Sequence, residues 1–290
     1  MTTTEVTPSK PAPSASVVRR ELRSQRARST GRTIGTTLLN GAISLVVVLV
    51  LWVGALWVFQ VEPYIGKGPL DVIEYLFSAP KAEENRALLT TALGETLYDA
   101  SIGFIAGLVL ATMIAVLFTL VRGIDHALMP IAMLLRSVPL VAMTPIIVLV
   151  FGRGEAAVAV MGAIVVLFPA LVTIVFGLRS ASPQMLDLVA VYGGSSLTAL
   201  RKVAFPASLP SFFAAVKISV PGAITGALLV EWLATGNGIG HGIISAFGRA
   251  KINEVWADVV VITIVSIILY NIVAVLESFV LARFGPAPTR

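Results

Sequence analysis

Apolar residues along this chain run in blocks and not at alternating spacing. Long blocks at 38–59, 97–121, 130–151, 155–177, 210–233 and 256–282 contain few charged residues. A helix of about 20 residues is needed to cross a hydrocarbon layer of about 30 Å, so each block predicts a membrane-spanning helix and the chain predicts six. Between the first two blocks, Leu70, Ile73 and Phe77 recur at helical spacing within 69–77, which predicts a short helix lying on the outer membrane surface. Residues 1–37 hold no apolar block. They are rich in Thr, Ser, Pro and Arg and are expected to form a disordered basic tail. The first block, at 22 residues, is too long for the apolar core of a signal peptide and reads as a span.

Composition narrows the function classes. Of the 290 residues 57% are apolar and 13% charged, with a mean hydropathy of +0.91, whereas a soluble domain carries about 25% charge. An ordinary water-soluble enzyme is therefore set aside. The chain has no cysteine and two histidines, His126 and His241, which excludes a disulfide framework, a thiolate metal site and an HExxH zinc motif. A net charge of +5 in so apolar a chain points to anionic lipid and not to nucleic acid. With the N-terminus inside, the cytoplasmic segments hold thirteen Lys and Arg and the outer segments six. The positive-inside rule then places both termini in the cytoplasm. The organisation that follows is a basic tail over 1–37, a first span with an acidic outer loop over 38–96, a core of five spans over 97–284 and a short tail over 285–290.

Several spans contain residues that a lipid-facing helix avoids: Pro139 and Pro145 in the third, Pro169 in the fourth and Pro221 in the fifth. Such breaks are tolerated where neighbouring helices or a cavity satisfy the backbone. Gly103, Gly107, Ala111 and Ala115 form a small-residue stripe in the second span, and Gly222 with Gly226 does so in the fifth, so helices can approach closely there. A tight bundle accounts for these features as well as a transport pathway does.

The segment 178–208, between spans four and five, is the longest cytoplasmic connection. Ser182-Pro183 predicts a helix start, Gly193-Gly194 its end, and Ser195 or Ser196 the cap of a second short helix ending before Pro206. The product is a helix-turn-helix at the membrane surface. Its apolar residues, Met185, Leu188, Val189 and Val191 in the first arm and Leu197, Leu200, Val203 and Ala204 in the second, exceed what a solvated connector needs. An interfacial helix lying on lipid is the plainer explanation, and a protein partner the sharper one.

The spacing of Asp187, Leu188, Val189, Gly193, Val203 and Pro206 closely resembles the cytoplasmic signature of binding-protein-dependent ABC importer permeases. In that signature an acidic residue and two alanines precede a glycine, then a proline at a fixed interval. Asp stands here for the usual Glu, and Leu-Val for the two alanines. The runs LLRSVPLVAMTPIIVLVFGRG and LLVEWLATGNGIGHGI are similar to the nitrate, sulfonate and taurine branch, which includes relatives for pyrimidine vitamin precursors. The resemblance implies an all-α integral membrane protein with the six helices of the type I importer permease fold and a cytoplasmic coupling helix-turn-helix between spans four and five. It implies no enzymatic activity in this chain and import of a small polar, anionic solute. It implies a second permease subunit, as a homodimer, two cytoplasmic ATPase subunits on 178–208 and an extracytoplasmic binding protein, all in a bacterial cell membrane. No GxxxxGK[ST] loop occurs in the chain, so no cofactor is expected on it and ATP falls to a separate subunit.

Ionisable residues inside spans are functional candidates because their burial is costly. Arg136 and Lys217 are candidates for the pathway or its gate, although Lys217 can also snorkel to headgroups. Glu231 ends span five on the outer side, just before Thr235, Gly236, Asn237, Gly238, Gly240 and Gly242. This run predicts a flexible outer turn, with Gly238 and Gly240 as gate candidates, or else an ordinary loop. An ion-coupled secondary transporter is the alternative function. It calls for inverted repeats and paired carboxylates at mid-membrane, neither of which is evident here.

Overall fold

The computed structural model describes residues 41–284 apart from 42, 122, 124–128, 132 and 136. Both predicted tails, the start of the first predicted span and Arg136 lie outside the described residues. The chain divides into two compact units at Pro69. The first contains helix α1 (Ile43–Val58), apolar but shorter than a full span, and a turn in which Gly66 N donates to Glu62 O at 2.9 Å.

The second unit is helical throughout its regular structure. It begins with α2 (Pro69–Ile73), which widens into a π turn at Glu74–Ser78, followed by α3 (Ala82–Leu120), α4 (Met129–Leu135), α5 (Leu140–Phe151) and α6 (Glu155–Arg179). Next come α7 (Pro183–Val191) and α8 (Ser196–Ala199), which runs through a π turn at Leu200–Ala204 into α9 (Phe205–Val230). A third π turn, Glu231–Thr235, precedes α10 (Gly238–Gly248) and α11 (Ile252–Phe284).

Among the described residues four helical stretches are long and apolar enough to cross a membrane: Ala82–Leu120, Glu155–Arg179, Ser196–Thr235 and Ile252–Phe284. The predicted third span is not one straight helix. Its halves, α4 and α5, meet at 95°, and counted together they bring the spans to five. Pro139 explains the break, because proline offers no N–H and drives the preceding residue out of the helical region. It occupies the N-cap of α5 with ψ at 114°. The helix α3 also starts at Ala82 and not near residue 97. Its 39 residues make it about 58 Å long, so its first turns stand outside a hydrocarbon layer of about 30 Å.

The core forms where α3, α6 and α9 cross. A Cβ on Gly103 would lie 2.6 Å from the Gly162 Cα, and one on Gly226 3.0 Å from that same atom, so three backbones meet at a point that admits no side chain. From there Gly107, Ala111 and Ala115 continue down α3 as a buried stripe. This burial lets backbones touch, where close packing and not hydrophobic transfer holds membrane helices together. The helix α11 packs along α9 and α10 and turns most of its apolar surface outward.

The predicted surface helix over 69–77 is present as α2 and its π turn. Val72 and Leu76 face inward, while Leu70, Ile73 and Phe77 are exposed on the opposite side. Two side chains from α3 satisfy the π turn's carbonyls. Arg86 Nη1 donates to Leu76 O at 2.6 Å and Asn85 Nδ2 to Tyr75 O at 3.0 Å.

Candidate functional site

Chemistry-bearing residues gather at both ends of the bundle. At the end that carries α7, Ser182 holds the N-cap position of that helix with Pro183 in the first turn, although its hydroxyl bonds Gln184 Oε1 at 2.6 Å and not a helix N–H. The helix closes on Gly193, whose φ of +74° lies in the left-handed region that favours glycine. Ser195 caps the second arm, its Oγ accepting from Thr198 N at 3.3 Å.

The bulk of Val189 is absorbed inside this turn. A Cβ on Gly194 would strike the Val189 side chain, and Gly194 N donates to Val189 O at 2.8 Å. Gly194, predicted only as part of the helix stop, is therefore also the partner that fits Val189. Met185, Leu188, Val191 and Leu197 remain more than half exposed, and no residue of α7 is buried. Asp187 is exposed and lines a cleft of about 420 Å³ with Arg179, Thr119 and Leu120.

The second arm departs from expectation. It does not end before Pro206 but continues through the π turn into α9, with Pro206 just after that turn. Val203 correspondingly lies buried with Leu200 and Ala204 in the bundle and not on the exposed side of the arm. Asp187, Leu188 and Gly193 stay on the exposed arm.

At the opposite end, just past α9, Glu231 is 1% exposed. Its Oε2 accepts from Thr96 Oγ1 at 2.9 Å and from Gly240 N at 2.8 Å. Ile239 N donates to Thr96 Oγ1 at 2.8 Å and Gly238 N to Glu95 Oε2 at 2.9 Å. Three successive N–H groups at the start of α10 thus meet oxygens from α3 and from the end of α9, an arrangement that opposes negative charge to the positive end of a helix. From Gly238 on, the glycine run expected to be a flexible turn is the buried first turn of α10, while Gly236 and Asn237 before it are exposed. Gly238 and Gly240 are buried because the Glu231 side chain occupies the space beside them.

Residues 103–284 match the family described as the binding-protein-dependent transport system inner membrane component. The chain belongs to that family. It is 30% identical over 220 residues to a probable ABC transporter permease of Haemophilus influenzae, a match covering 74% of this chain and 88% of the relative. It is 25% identical over 225 residues to the formylaminopyrimidine transport permease of Halalkalibacterium halodurans, covering 76% and 86%. A putative aliphatic sulfonates transport permease of Bacillus subtilis is 27% identical over 182 residues, covering 63% and 66%. The protein is thus an ABC importer permease of the nitrate, sulfonate and taurine branch, a multi-pass membrane protein of a family of transporters and not of enzymes.

The remaining candidate of this permease, Lys217, neither points to solvent nor snorkels alone. Its Nζ meets Glu277 Oε2 at 2.5 Å, joining α9 to α11, with both side chains about four-fifths buried. Sequence reasoning gave Glu277 no role, and no local pattern connects the two. Glu95 and Thr96, which complete the outer cluster, were missed for the same reason.

Proposed function

We propose that two copies of this permease form the pathway of an ATP-driven importer for a small polar solute, delivered from outside by a binding protein. Two cytoplasmic ATPase subunits grip α7, and closure of the ATPase pair moves it as a rigid body, switching the pathway between outward and inward openings. The observation that carries this reading is the exposed apolar face of Met185, Leu188 and Val191 on a helix outside the long membrane-crossing stretches. An exposed apolar patch of this kind marks an interaction surface. On this reading both termini and 178–208 lie in the cytoplasm, and the chain itself binds no cofactor, ATP being hydrolysed by the partner.

The branch resemblance leads to an anionic solute, but the outer mouth weighs against one. Glu95, Asp99 and Glu155 line a cleft of about 260 Å³ there with no basic residue among its lining side chains. A neutral or amino-bearing solute, of which an aminopyrimidine is an example, meets no repulsion at such a mouth. The test is uptake into vesicles carrying the permease, its ATPase and its binding protein. ATP-dependent uptake of an aminopyrimidine in preference to a sulfonate supports the reading. Uptake that persists without any ATPase subunit would instead establish the ion-coupled carrier.

A further inference from the structure

A second cleft at the outer end, of about 380 Å³, is walled by Tyr75 on the first π turn, Asn85 and Glu95 on the outer turns of α3, His241 on α10, and Glu254 and Asp258 at the start of α11. Asp258 is 5% exposed and makes no hydrogen bond or ion pair with any described residue. The absence of a side chain on Gly242 leaves room for its carboxylate, since a Cβ there would lie 3.0 Å from Oδ2.

The basic residues around the cleft are both engaged by Glu254 and not by Asp258. Arg249 Nη2 and Lys251 Nζ both pair with Glu254, at 3.5 and 3.2 Å, and Glu95 accepts from Gly238 N. The Tyr75 phenol registers the negative surroundings. Burial first, and then the carboxylates of Glu254, Asp258 and Glu84, push its pKa up to about 12. A carboxylate in a largely buried residue that lines a cleft without a counter-charge is costly, and a cation supplied from outside relieves that cost.

A metal ion is not the natural occupant, because among the described residues no three His, Asp or Glu side chains converge to hold one. An organic cation fits better: an ammonium or a guanidinium group. The inner side of the cleft decides its source. Thr96 and Ile239, the chain neighbours of the lining residues Glu95 and Gly238, are bonded together and to Glu231, and each of the three is at most 1% exposed. A solute entering here meets a closed wall, whereas a side chain anchoring a protein needs only to insert.

We propose that this cleft is a docking socket for a lysine or arginine side chain of the extracytoplasmic binding protein, with Asp258 as its counter-charge. The inference rests on the importer reading above. The experiment uses the assembled permease and ATPase in lipid nanodiscs, with the binding protein that stimulates its ATP hydrolysis as the probe. Asp258→Asn weakens binding-protein affinity by about tenfold or more, and Gly242→Ala, which crowds the carboxylate, weakens it less. Rising salt weakens the wild-type complex more steeply than the Asp258→Asn complex. Where the inserted side chain is a lysine, zero-length carbodiimide coupling, which joins a carboxylate to an amine, links Asp258 to the binding protein and loses that product in Asp258→Asn. Gel filtration of each variant with its ATPase reports on folding.

Unchanged affinity in a correctly assembled Asp258→Asn complex overturns the proposal and leaves the importer reading standing. A shift in the solute concentration for half-maximal uptake with unchanged binding-protein affinity also overturns it, and makes the cleft a solute site. Failure of the wild-type permease to bind any ATPase or binding protein removes the importer reading itself.

Discussion

Glu231 and Gly238 share one space. Gly238 has a φ of +80°, and a Cβ there would overlap the Glu231 carboxyl group. On Gly240 a Cβ would meet Leu228 O at 2.5 Å and the Glu231 Cβ at 2.9 Å. Both neighbours are fixed, one as backbone and one by its hydrogen bonds, so neither position relaxes cheaply. Gly238→Ala and Gly240→Ala are each expected to lower stability by about 1–3 kcal/mol, visible as an earlier melting transition and a poorer yield of assembled permease. Alanine variants that assemble and melt normally but transport slowly would restore the picture of a flexible outer segment.

Glu231 itself acts here as an acceptor, which separates two of its substitutions. In Glu231→Gln the side-chain oxygen retains the bonds from Thr96 Oγ1 and Gly240 N, whereas Glu231→Ala leaves both donors unsatisfied and opens a cavity. The alanine variant should be destabilised by about 2–4 kcal/mol and the glutamine variant by less, about 1–2 kcal/mol, because its amide nitrogen takes the buried place of Oε1, which has no hydrogen-bond partner; thermal unfolding in detergent measures both. Equal loss in the two would mean that the negative charge facing the α10 terminus, and not hydrogen-bond acceptance, holds the cluster.

What was legible in the chain was what repeats locally. Apolar blocks marked the long helices because a lipid environment demands them, and the stripe from Gly103 to Ala115 marked the buried face of α3 because small residues at helical spacing have few other uses. Pairings across long sequence separations left no such trace. Thr96 and Ile239 lie 143 residues apart, Lys217 and Glu277 60, and neither member of either pair announces the other. The glycines after Glu231 were visible but misread, since glycine permits flexibility and close packing alike. Three successive N–H groups opening a helix after Asn237 call for an oxygen partner, and Glu231 stood within reach in sequence as that partner. At Val203 the apolar pattern was right and the direction wrong, because the second arm belongs to α9.

The Lys217–Glu277 pair is expected to behave as a coupled unit. Lys217→Leu alone strands a carboxylate and Glu277→Leu alone strands an ammonium, each in a largely buried position. Either single change should cost about 1–3 kcal/mol, while the double change to leucine should cost much less than the sum, because a buried ion pair is replaced by packing groups of similar size. A double-mutant cycle on thermal melting of the purified permease reads this directly. Additive losses would show that the contact does not tie α9 to α11.

Coupling to the ATPase gives the last prediction, and it turns on Gly193 and Asp187. Gly193 adopts a φ of +74° with open space around its missing side chain, so Gly193→Val introduces backbone strain of about 1–3 kcal/mol without a steric clash elsewhere. The strain falls on the turn between α7 and α8, outside the crossing of α3, α6 and α9, so the bundle should insert and melt nearly as the wild type. What changes is the angle at which Met185, Leu188 and Val191 are presented, and solute-stimulated ATP hydrolysis should fall with it. Asp187→Arg alters no internal contact, since Asp187 bonds no described residue, and it reverses the charge on the rim of the inner cleft. It should therefore weaken co-purification of the ATPase by about tenfold while leaving the melting transition in place. A permease carrying both changes that binds its ATPase and transports normally would reduce the helix-turn-helix to a membrane-surface anchor. Loss of insertion in Gly193→Val would instead place the turn within the folding core.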